Sequence, residues 1–182
     1  MNSIGKLSPL IEKSGYWSFN LDVTIPKDQG FSRKNVSGWI QVVDNENRKE
    51  IYQISLRENK ESSIDFFTVY TIGENNLFTG RSVGKDANIY LKGRCSYDRS
   101  MLRFEWEVSL NSVFSDICVS TDLVPIDRSS QYTVHGVSCT KTLHCYLSRF
   151  LGKISKIETP SNEVQNLFKQ QIAKYSHIDN KN

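Results

Sequence analysis

The sequence predicts a mainly β protein: an antiparallel up-and-down meander of about eight or nine strands forming a barrel or sandwich, followed by one or two C-terminal helices. Three observations carry that expectation. Segments that alternate apolar and polar residues recur from Trp17 to Ser138, polar runs of hairpin length separate them, and after Cys139 the apolar spacing changes to three and four. Strands joined by such short links pair antiparallel, because a parallel pair needs a crossover of about a dozen residues.

The elements follow in order. WSFNLDVT (17–24) sets Trp17, Phe19, Leu21 and Val23 against Ser18, Asn20, Asp22 and Thr24. NVSGWIQVVD (35–44) is rich in β-branched and aromatic residues, RKEIYQISLR (48–57) places Tyr52, Ile54 and Leu56 on one face, and DNEN between them signals a turn, so the two make a hairpin. IDFFTVYTI (64–72), the weaker LFTGRSV (77–83) and ANIYLKGRC (87–95) come next. MLRFEWEVSL (101–110) has the sharpest pattern: Leu102, Phe104, Trp106, Val108 and Leu110 on one parity, Arg103, Glu105, Glu107 and Ser109 on the other. DICVSTDLV (116–124) and SQYTVHGVS (130–138) complete the set. One-sided alternation gives each strand one face on a core and one in water. A sheet of this size must then close or fold over, since a flat one would leave an apolar face wet and two edges open.

Beyond Cys139, residues Leu143, Tyr146, Leu147, Phe150, Leu151, Ile154 and Ile157 fall at helical spacing and predict a helix over 141–157, with Gly152 costing about 1 kcal/mol inside it. TPSNEVQNLFKQQIAKY (159–175) predicts a second helix, capped by Ser161 or Asn162, whose buried stripe is Val164, Leu167, Phe168, Ile172 and Tyr175. The last residues, 176–182, are expected to fray. The expected organisation is therefore a single domain over 1–182: a barrel from 17 to 138, helices at 141–175 packed on it, and a short tail.

Composition narrows the function classes. At 182 residues, 38% apolar and 24% charged, the chain has the make-up of a one-core globular protein. The 23 basic and 20 acidic residues are interspersed, which describes a solvated surface and disfavours a nucleic-acid footprint. No apolar run approaches the roughly 20 residues of a membrane span, and the N-terminal stretch lacks the apolar core of a signal peptide, so a soluble, cytoplasmic protein is expected. The four cysteines, Cys95, Cys118, Cys139 and Cys145, are too few for a disulfide scaffold. They are read as free thiols, with one or two disulfides as the alternative, to which the sequon Asn35-Val36-Ser37 would be suited.

The catalytic inventory is thin. Gly-rich phosphate loops, H-E-x-x-H, C-x-x-C and G-x-S-x-G are all missing from the sequence. Cys139, His144 and Cys145 are soft ligands without the paired spacing of a structural zinc site. Cys118 with His135 would make a nucleophile pair only if their strands and faces coincide, and Asp122 and Asp127 flank a proline loop without an acid–base partner. No catalytic residue, metal ligand or cofactor is therefore assigned.

Gly15-Tyr16-Trp17, at the start of the first strand, resembles the Gly-x-Trp signature of lipocalins, and Thr121-Asp122 resembles part of that family's second motif. The resemblance implies an eight-strand meander, a long first connection at 25–34, an outer helix after the last strand, and an interior that holds a small molecule, with Trp17 near the closed end. A small, largely apolar ligand is thus the expected partner, bound without catalysis by Trp17, Phe19, Leu21, Phe104 and Trp106. The alternative is a protein-interaction or assembly module, a homo-oligomer included, that docks through the C-terminal helices or a sheet edge.

Overall fold

In the computed structural model, which describes residues 14–45, 48–57, 60–85, 87–98, 101–110, 113–126 and 130–179, ten antiparallel strands close into a barrel followed by one helix. The strands are β1 (Gly15–Pro26), β2 (Phe31–Asn45), β3 (Arg48–Arg57), β4 (Lys60–Ile72), β5 (Leu77–Gly84), β6 (Asn88–Asp98), β7 (Met101–Leu110), β8 (Val113–Pro125), β9 (Gln131–Thr140) and β10 (Tyr146–Ile157), and the helix is α1 (Asn162–Asp179). Each strand pairs with its neighbours in sequence, and β10 returns to pair with β1, so the meander has no edge. The up-and-down β architecture is as the alternation predicts, with ten strands instead of eight or nine.

Two expectations fail. Residues 141–157 are not a helix: a turn at 141–143 leads into β10, and the barrel extends over 15–157 instead of 17–138. The reason lies in two superposed alternations. Phe150 and Ile154 face the interior, while Leu151 and Ile157 face outward, and Leu147 falls at a bulge in the β9–β10 ladder. Apolar residues on both faces of a strand mimic the three-and-four spacing of a helix. Ladder hydrogen bonds to both β9 and β1, which a helix here could not make, decide the outcome. The second failure is the long first connection at 25–34. β1 and β2 instead turn tightly, with the Lys27 N–H donating to the Gly30 carbonyl at 3.0 Å and Gly30 at φ 85°, a conformation glycine adopts without strain.

Strand parity sorts the core into two clusters on opposite faces of the sheet. The inner one takes a fully buried residue from every strand near one end of the barrel: Trp17, Val42, Ile51, Ile72, Phe78, Cys95, Leu102, Leu123, Tyr132 and Ile154, none more than 8% exposed. They form a packed floor at the end where β1 begins. The outer cluster belongs to β1–β4, where Tyr16, Trp39, Tyr52, Ile54, Leu56, Phe67 and Val69 meet Val164, Leu167, Phe168, Ile172 and Tyr175 of α1. The predicted stripe of α1 is thus covered by its own barrel. Ser161 Oγ accepts the Val164 N–H at 3.3 Å, making Ser161 the cap. α1 continues to Asp179 where fraying was expected, and residues 180–182 lie outside the described ones. It is not long and apolar enough to cross a membrane.

Candidate functional site

The five residues singled out in the sequence all face inward, in one cluster. They sit at different heights. Trp17, 2% exposed, and Phe19, 5% exposed, belong to the floor. Leu21, Phe104 and Trp106 pack against it from above and are only half-buried. Val36, Val108, Val119 and Phe150, further inward apolar side chains of the upper half, are half-buried too, while Leu91, across from Val108, is buried. An inward residue of a closed barrel keeps accessible surface only if space remains beside it. The interior is therefore packed at the floor and looser toward the end that carries the β1–β2, β3–β4, β5–β6, β7–β8 and β9–β10 connections.

Glycines explain how large side chains can leave that space. Six inward pairs set a bulky residue directly across from a glycine on the next strand: Phe19–Gly38, Leu21–Gly152, Phe66–Gly84, Tyr70–Gly80, Trp106–Gly93 and Phe150–Gly136. A Cβ at Gly84 would lie 2.6 Å from the Phe66 ring, and one at Gly93 2.7 Å from Trp106 Cβ. The Phe19, Leu21, Phe66, Tyr70 and Phe150 side chains thus lie over the neighbouring strand, against the wall. Phe78 is the hub beneath them, with ring centroids 5.9 Å from Phe104, 6.1 Å from Tyr70 and 6.4 Å from Trp106, all edge-to-face.

The inner wall also carries a polar minority that the alternation did not reveal. Thr68 and Ser82 hydroxyls are 2.8 Å apart, Ser138 and Ser148 hydroxyls 2.6 Å apart, and the Tyr70 hydroxyl donates to Gln53 Oε1 at 3.4 Å. Thr121 Oγ1 and Trp17 Nε1 are buried without a protein partner. β4 hides its parity because both of its faces are apolar, one toward the interior and one beneath α1.

Burial pushes the Tyr70 phenol up to about 12. An unfolded tyrosine ionises near 10, so the folded state keeps its proton where the unfolded state loses it. The stabilisation is fully present below about pH 10 and is lost as pH rises through about 12, a contribution of about 3 kcal/mol. Urea unfolding at pH 8 and pH 11 should show about half of this loss, since pH 11 lies midway between the two ionisations, and Tyr70→Phe should reduce it.

The outer face answers the charge pattern of β7. Glu105 pairs with Arg94 at 3.1 Å, Glu107 with Lys141 at 2.7 Å and Lys92 at 3.6 Å, and Arg103 grips Asp122 through two bonds of 2.7 and 3.0 Å. The Lys141 ammonium holds the Glu107 carboxyl below its ordinary range. These are exposed cross-strand pairs, each worth little individually.

Cys118 and His135 are not brought together. Both face outward on adjacent strands, but Cys118 opposes Cys139 and His135 opposes Asp122, a separation of four residues or about 13 Å along the ladder. Asp127 lies outside the described residues. Among the described residues no three His, Cys, Asp or Glu side chains are grouped to hold a metal. Cys95 is a buried inner thiol, while Cys118 and Cys139 are half-buried on the outer face.

What the geometry defines is a class of architecture: a closed ten-strand up-and-down barrel with a packed floor, a looser upper interior and one helix covering its outer wall. No protein-family model matches the chain, and no curated protein matches it.

Proposed function

We propose that the barrel binds one small, largely apolar molecule in its upper interior, non-catalytically and in the manner of a lipocalin. The observation that carries this reading is the contrast between the floor and the half-buried apolar lining above it, where bulky side chains lie over wall glycines. Barrel diameter grows with strand number, and eight strands already border on holding a ligand, so ten leave more room. In this reading Leu21, Phe104 and Trp106 touch the ligand and Trp17 and Phe19 close the pocket beneath it. Thr121 Oγ1 and the Thr68–Ser82 pair offer a polar group on the ligand a hydrogen bond.

Of the three tryptophans, Trp17 is in the floor and Trp39 lies outside beneath α1, which leaves Trp106 as the reporter. Titration with fatty acids and retinoids should quench or shift the emission saturably, and Trp106→Phe should abolish most of the signal. Binding should also raise the melting temperature, with about 2.7 kcal/mol of added stability at a ligand concentration one hundred times Kd. The absence of both saturable emission change and thermal shift across these probes would defeat the proposal.

A further inference from the structure

Cys118 and Cys139 are direct cross-strand partners on the outer wall, and their sulfurs are 3.2 Å apart. Opposed residues of an antiparallel pair have Cα atoms about 4.5–5.5 Å apart. That falls within the span of roughly 4.4–6.8 Å that a disulfide bridges, so the backbone already has the required geometry. Both cysteines are free and half-buried, and neither takes part in the proposed ligand site on the other face of the sheet. They border a groove of about 630 Å³ lined mostly by outward residues, Lys92, Glu107 and Val137 among them, and also by the inward Trp106 and Val119 of the same strands.

We propose that Cys118 and Cys139 form a redox-active dithiol that closes to an intramolecular disulfide by exchange with a low-molecular-weight disulfide. One cysteine, as thiolate, attacks a sulfur of the small disulfide RSSR, forming a mixed disulfide and expelling one RS⁻. The second cysteine, deprotonated in turn, attacks the protein sulfur of that mixed disulfide and expels the other RS⁻. The two protons released by the cysteines convert both leaving groups to RSH. Two electrons pass from the cysteine pair to RSSR, so the dithiol is oxidised and the small disulfide reduced. The new bond ties β8 to β9 one rung from Ile117–Thr140, where their ladder ends beside the turn that carries Cys145.

The test incubates the full chain with mixtures of reduced and oxidised glutathione, quenches with a thiol-alkylating reagent, and reads intact and proteolysed masses. Two of the four thiols should disappear together in a single transition, with the Cys118 and Cys139 peptides linked and no glutathione retained on them. C145S should behave identically. C118S and C139S should each keep glutathione on the remaining cysteine, since the resolving partner is gone. Alkylation of all four cysteines at the most oxidising ratio would overturn the proposal, as would a first bond that links Cys145 or joins two chains.

Discussion

Replacing Phe78 with alanine is expected to destabilise the protein by about 3–5 kcal/mol, the usual cost of deleting a buried aromatic ring. Phe78 is 3% exposed and meets Tyr70, Phe104 and Trp106 edge-to-face, so its removal opens a hole where floor and lining join. Trp106→Ala should cost less, about 1–2 kcal/mol, because that side chain is half-buried and borders space. On the outer parity of the same strand, Glu105→Ala should stay within about 0.5 kcal/mol, as expected for an exposed ion pair. Urea unfolding of the three variants checks the series. Equal, large losses at Phe78 and Trp106 would mean that the interior is packed solid to the height of Trp106.

Ending the chain after Glu158 is expected to abolish cooperative folding. α1 contributes Val164 and Phe168, 9% and 1% exposed, and covers Ile54, Leu56, Phe67 and Val69. Each fully buried side chain of this size is worth about 1.5–3 kcal/mol. Their combined loss, with the outer cluster uncovered, approaches the whole stability of a typical domain, about 5–15 kcal/mol. Circular dichroism and limited proteolysis of the truncated chain read the result. A truncated chain that stays folded and self-associates would show that the stripe serves a partner, as the interaction-module alternative requires.

What the sequence discloses here follows from how many faces of an element meet apolar surroundings. β1 and β7 each have one wet face, and their alternation reads directly: Trp17, Phe19 and Leu21 inward, Glu105 and Glu107 outward. β4 is apolar on both faces because α1 covers its outer side, so Tyr70 and Thr68 could not be told apart from Phe67 and Val69 as interior residues. β10 misled for a related reason, with Leu151 and Ile157 outside and Phe150 and Ile154 inside producing a helical spacing along a strand. Gly152 was the available hint, since a glycine unfavourable in a helix faces Leu21 across the β1–β10 seam. The inward residues were partly legible, but the six pairings of a bulky side chain with a glycine depend on register between strands, which no single segment encodes.

Native mass spectrometry tests whether the upper interior holds one small apolar molecule, as proposed. The protein as purified, and again after delipidation and addition of a single fatty acid, should give a bound species of one ligand per chain that a second apolar probe displaces. Phe104→Asp, which sets a carboxylate on the lining, should abolish that species while the circular dichroism spectrum stays β-dominated. A spectrum of ligand-free chain alone under every loading condition, or adducts that accumulate without a fixed stoichiometry, would overturn the proposed binding.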